Sequence, residues 1–96
     1  MMVLITYDVA IGTEGGVKRL RRVARICEDH GQRVQYSVFE CELDPALWIR
    51  MRARLVTAID PAHDSLRFYF LGREWRRRVE HVGARAAEDP DDLLLI

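Results

Sequence analysis

RVQYSVFECEL, residues 33–43, is the stretch on which the fold turns. Val34, Tyr36, Val38 and Phe39 all favour extended backbone. Eleven residues is long beside a usual strand length of about five or six. The stretch contains no Gly, Pro or Asn. Any hairpin within it must therefore be very tight, and Tyr36-Ser37 is the place for it. Read so, the segment supplies two antiparallel strands in the middle of the chain.

Upstream, residues 16–30 read as a helix. Val17, Leu20, Val23, Ala24 and Cys27 recur at steps of three or four and make one apolar stripe. Lys18, Arg19, Arg21, Arg22 and Arg25 cover the rest, and Gly31 follows as a C-terminal stop. AIGTEGG (10–16) is a loop, and residues 2–7 read as a buried strand that ends at Asp8. Downstream, Asp44-Pro45 opens a second helix, with Asp as N-cap and Pro at the first helical position. Its buried stripe is Leu47, Met51, Leu55 and Ala58 or Ile59. DPAHD (60–64) ends it, and SLRFYFLG (65–72) alternates with the period of a strand. GREW then reads as a turn and RRRVEHVG (76–83) as a fifth strand. EDPDD is an acidic linker, and LLLI (93–96) is an apolar end suited to a strand donated to a neighbour.

The order β-α-β-β-α-β predicts an α+β, ferredoxin-like domain over residues 1–85 with an extra strand, followed by a linker and edge strand over 86–96. Two helices cover one face of such a sheet. Apolar and aromatic residues fall on both faces of 65–71, so the other face calls for a partner. A second copy, giving a homodimer, is the simplest one.

Formal net charge is zero, but residues 1–85 hold all 15 bases against 11 of the 15 acids. Fourteen of those bases are arginine, which grips phosphate bidentately. A GC-rich genome would give the same bias. No apolar run reaches membrane-spanning length and no signal peptide opens the chain, so a cytoplasmic protein without membrane contact is expected. Cys27 and Cys41 form no CxxC and read as free thiols. His30, His63 and His81 show no ligand spacing, and GxxxxGK and GxSxG are both missing.

Asp8 is the residue that asks for chemistry. A carboxylate at the tip of a buried strand must pair with arginine, cap the next loop or bind a cation. One chain offers one ligand, whereas a two-fold dimer offers two. Magnesium needs only one or two carboxylates besides water and phosphate oxygens. The basic helix and the Arg76-Arg77-Arg78 triplet are either solvated faces or contacts to a nucleic-acid backbone. Tyr7 and Tyr36 either belong to the core or line the Asp8 site.

Taken together, LITYDV, GGVKRLRRVARICEDHGQRVQYSVFEC, DSLRFYFLG and RRRVEHVGA resemble the CRISPR-associated protein 2 family, over about residues 2–85. The resemblance implies a ferredoxin-like homodimer in which Asp8 faces its twin and binds magnesium or manganese. It implies a metal-dependent endonuclease acting on single-stranded RNA or double-stranded DNA, partnered with the CRISPR integrase in spacer acquisition. It places basic DNA contacts on Lys18, Arg19, Arg22 and Arg33, and sets Ser37 and Phe39 next to the cleft, where Tyr7 is the further cleft-lining candidate. It leaves open a non-catalytic role, as a DNA-binding scaffold that bridges integrase dimers. Tyr36 stands where close relatives often have Asn.

Overall fold

A computed structural model describes residues 1–83. In it the RVQYSVFECEL stretch is a hairpin with Tyr36 and Ser37 as its two-residue turn. Chain order is β1 (Met2–Asp8), α1 (Gly16–Glu28), β2 (Gln32–Gln35), β3 (Val38–Glu42), α2 (Pro45–Ala58), β4 (Ser65–Phe70) and α3 (Trp75–Arg78). Arg33 pairs with Phe39 and Gln35 with Val38, so the register slips by one residue at Val34. That slip adds local twist to a hairpin that has no left-handed residue at its turn, since only glycines take positive φ.

The four strands form one antiparallel sheet in the order β2-β3-β1-β4. This is the ferredoxin-like arrangement, with the first strand central and both helices on one side. Val3, Ile5 and Tyr7 of β1, with Phe39 and Cys41 of β3, face the helices. Val23, Ile26 and Cys27 of α1, and Trp48, Met51, Leu55 and Ala58 of α2, close the core over them.

Each helix follows local chemistry. Asp44 caps α2, its carboxylate accepting from the Leu47 amide at 2.8 Å, with Pro45 at the first position. Gly15, at φ 74°, turns the chain into α1. Gly31, after α1, is needed for space: a Cβ there would lie 2.3 Å from the Cys41 sulfur. The buried stripes differ from expectation by small rotations. Val17 is exposed and Ile26 takes the core position, while Trp48 is buried and Leu47 only half-buried.

The fifth strand expected over 76–83 is not formed. Residues Trp75–Arg78 make a turn of helix, and 79–83 pair with no strand. Local contacts favour the turn: the Arg77 amide donates to the Glu74 carbonyl at 3.1 Å, Arg77 pairs with the Glu74 carboxylate, and Arg76 stacks on the Trp75 ring. The expected linker and edge strand at 86–96 lie outside the described residues.

Candidate active site

Period-two alternation along β1 sends Val3, Ile5 and Tyr7 to the helices and Leu4, Thr6 and Asp8 to the opposite face. Register carries the pattern outward: Leu4 lies between Glu40 and Tyr69, Thr6 between Val38 and Arg67, and Asp8 opposite Ser65. Among the described residues α3 borders this face at its Met2 end, where Trp75 and Arg76 line a pocket with Met2 and Glu42; toward the other end Leu4 and Thr6 are half-buried and Asp8 is exposed. Asp8 ends the central strand and is exposed. The premise of a buried carboxylate is thus corrected: water reaches it, so it needs no internal counter-ion. Its carboxylate makes no hydrogen bond or ion pair among the described residues. Arg67, diagonal to Asp8, is the base on the same face, and its guanidinium donates to the Tyr69 hydroxyl at 3.1 Å. Strand alternation in SLRFYF could have found Arg67 once Asp8 was set beside Ser65.

The cleft-lining expectation is corrected for two of its three residues. Tyr7 and Phe39 are core, stacked with ring centroids 6.3 Å apart on the helix side of the sheet, away from Asp8. Burial pushes the Tyr7 phenol up from its usual range, with Arg33 pulling the other way. Ser37 does reach the Asp8 end of the sheet, through its backbone carbonyl, which accepts from the Tyr7 amide at 3.1 Å.

The four expected nucleic-acid contacts divide. Arg33 is drawn into the fold, over the Phe39 ring at 4.8 Å and bonded to Glu28 at 2.9 Å and to the Tyr36 carbonyl. Arg19 is also corrected to an internal role. Four of its five N–H groups go to Asp64, Thr13 and the Glu14 carbonyl. Lys18 and Arg22 stay exposed on α1 beside Arg21 and Arg25, and α2 adds Arg50, Arg52 and Arg54 without one acid. Arg22 and Arg54 line one shallow groove between the helices, with Ile26, Ala53, Thr57 and Ala58. This basic layer lies across the sheet from Asp8.

Asp64 was not foreseen. Its side chain is fully buried, and four N–H groups converge on it. Oδ1 accepts from the Ala10 amide at 2.9 Å and from Arg19 Nη2 at 3.3 Å. Oδ2 accepts from the Asp60 amide at 2.8 Å and from Arg19 Nε at 2.7 Å. DPAHD is the loop its composition predicts, and nothing in sequence ties position 64 to position 19. Cys27 and Cys41 are free and buried, with thiols pushed up to about 12 by burial, which makes them inert packing groups. Among the described residues no helix is long and apolar enough to cross a membrane, and no three His, Cys, Asp or Glu side chains gather as a metal cage.

Comparison with known proteins places these features. Residues 1–79 match the model of a family described as CRISPR associated protein Cas2. A Rhodospirillum rubrum protein named CRISPR-associated endoribonuclease Cas2 3 is 60% identical over 95 residues, covering 99% of this chain and 100% of its own. One from Nitratidesulfovibrio vulgaris, named CRISPR-associated endoribonuclease Cas2, is 55% identical over 96 residues, or 100% and 94% of the two chains. The crystal structure of Streptococcus pyogenes Cas2 superposes with a TM-score of 0.76 at 57% identity, covering 86% of this chain and 100% of that one.

Proposed function

The chain belongs to the CRISPR associated protein Cas2 family, and we propose that it is an endonuclease that hydrolyses phosphodiester bonds in RNA or DNA as a homodimer. The observation that carries this reading is Asp8: an exposed carboxylate at the end of the central strand, with no side-chain partner among the described residues, on the sheet face turned away from α1 and α2. A second copy laid on that face sets two Asp8 side chains across a two-fold axis.

Asp8 suits magnesium or manganese as half of a site. It is a hard oxygen donor open to water, and such ions bind through one or two carboxylates with waters and phosphate oxygens filling the rest. The ion, when bound, supplies Lewis-acid polarisation of the phosphate and a more acidic water. The chain's own part is to hold the carboxylate pair in place and to orient the strand being cut. Arg67, on the same face, is placed to take a phosphate oxygen. Relatives are named endoribonucleases, and one from Halalkalibacterium halodurans, 48% identical, is named an endonuclease. RNA and DNA therefore both belong in the test.

In this reading the protein works in CRISPR spacer acquisition in the cytoplasm, beside the CRISPR integrase, and membership of the Cas2 family supports it. One observation favours the scaffold reading: the exterior of the helix layer carries seven exposed bases, Lys18, Arg21, Arg22, Arg25, Arg50, Arg52 and Arg54. Such a surface tracks a phosphate backbone with no chemistry at all.

Cleavage of single-stranded RNA and double-stranded DNA, by wild type and Asp8→Ala in parallel with magnesium, manganese or EDTA, separates the two. The nuclease reading expects metal-dependent cutting that falls at least about 100-fold in the variant. Equal cutting by both proteins, or none by either, leaves the scaffold.

A further inference from the structure

We propose that Asp64 and Arg19 are positioning residues that hold the Asp8 strand end in its working geometry; the proposal rests on the nuclease reading. The contacts meet on both sides of Asp8. Two residues after it, the Ala10 amide donates to Asp64 Oδ1 at 2.9 Å. Across the ladder Asp8 faces Ser65, whose preceding residue is Asp64. One buried carboxylate thus fixes both the chain leaving β1 and the chain entering β4. Arg19, reaching from α1, closes the arrangement. Its Nε binds Asp64 Oδ2 at 2.7 Å, its Nη1 binds the Glu14 carbonyl at 2.7 Å and its Nη2 binds the Thr13 hydroxyl at 2.6 Å. Thr13 in turn donates through Oγ1 to the Ala10 carbonyl at 2.6 Å. Both polar groups of Ala10 are therefore held, and the loop 10–15 is tied to the same centre.

The loop has no slack to offer in exchange. Gly16 passes so close to Ala10 that a Cβ on it would sit 2.4 Å from the Ala10 carbonyl oxygen. A hydrogen-bonded network behind a metal-binding carboxylate is the usual means of fixing its direction. An exposed strand-end aspartate with no side-chain partner among the described residues depends on its backbone for that direction. The Asp64–Arg19 centre supplies it, without touching the ion or the strand that is cut.

The test compares Asp64→Asn with wild type and with Asp44→Ala, which removes the α2 cap and serves as a control for lost stability. Two readouts are taken: amide hydrogen exchange at Ala10, and kcat and KM for cleavage with the magnesium concentration varied. We expect Ala10 exchange to rise at least about tenfold in Asp64→Asn and not in Asp44→Ala. We expect kcat to fall by about 10–100-fold, with a higher half-saturating magnesium concentration and an unchanged KM for nucleic acid. A kcat loss no larger than in Asp44→Ala, or Ala10 exchange equal to wild type, overturns the proposal. Failure of the wild type to cleave overturns the nuclease reading and the catalytic consequence with it, and the exchange readout still decides whether Asp64 holds the strand end.

Discussion

At the scale of single residues, the Asp64–Arg19 pair should mark the stability of the protein with a pH signature. Arg19's hydrogen bond, ahead of the amide bonds, holds the Asp64 carboxyl well below the usual carboxylate range despite burial. Asp60 is lowered too, chiefly by the hydrogen bond from His63. An unfolded aspartate titrates near about 3.9, so on acidification the unfolded chain takes up its proton before the folded one. The stabilisation is therefore complete above about pH 5 and drains away as pH falls through the acid range toward the folded values. Thermal melts between about pH 7 and about pH 3 should show wild type losing Tm more steeply than Asp64→Asn, which has lost the main titrating group. Parallel curves for the two proteins would mean that Asp64 contributes little. Asp8 was legible in sequence because a carboxylate at the tip of VLITY is conspicuous. Asp64 was not, because its importance comes from a partner 45 residues away. The family resemblance sets Phe39 beside the cleft, and closeness in sequence suggests Tyr7 there too, although alternation along the strand sends Tyr7 to the other face.

At the scale of elements, α2 is held to the sheet by an aromatic corner. Trp48 meets Phe68 edge-on at 4.9 Å and Phe70 at 5.7 Å, and is itself nearly buried. Removing it opens a gap between helix and edge strand. Trp48→Ala should therefore cost about 3–5 kcal/mol, read as a lower urea midpoint at unchanged slope. A cost near zero would mean that α2 is anchored by Met51 and Leu55 alone. Most elements could be read from the sequence, since capping at Asp44-Pro45 and the apolar repeats are local signals. Trp48 escaped because the helical repeat is broad enough to admit position 47 or 48, and only the sheet's position chooses. The hairpin at Tyr36-Ser37 was legible by length alone. The segment after β4 was misread because alternation in RRRVEHVG imitates a strand, while the ring and charge contacts of Trp75, Glu74 and Arg77 favour a helical turn.

At the scale of the whole molecule, two surfaces divide the chain. One sheet face is sealed by α1 and α2, whose outer side is basic, and the other carries Asp8 at its exposed end. The fold was readable as a ferredoxin-like unit from element order. The separation of the two surfaces was not, since the distance between a helix face and a strand face is set only once the layers pack. The separation gives each surface its own work in the proposed dimer, with backbone tracking outside and cleavage at the axis. In that dimer one reaction centre is built from two Asp8 side chains, and mixed dimers probe the sharing. Differently tagged wild-type and Asp8→Ala chains would be co-expressed, the heterodimer purified through both tags, and its metal-dependent cleavage measured per dimer. The heterodimer should be about as inactive as the double mutant, because a shared site fails when either carboxylate is lost. A heterodimer with half the wild-type activity would show two independent sites and contradict it.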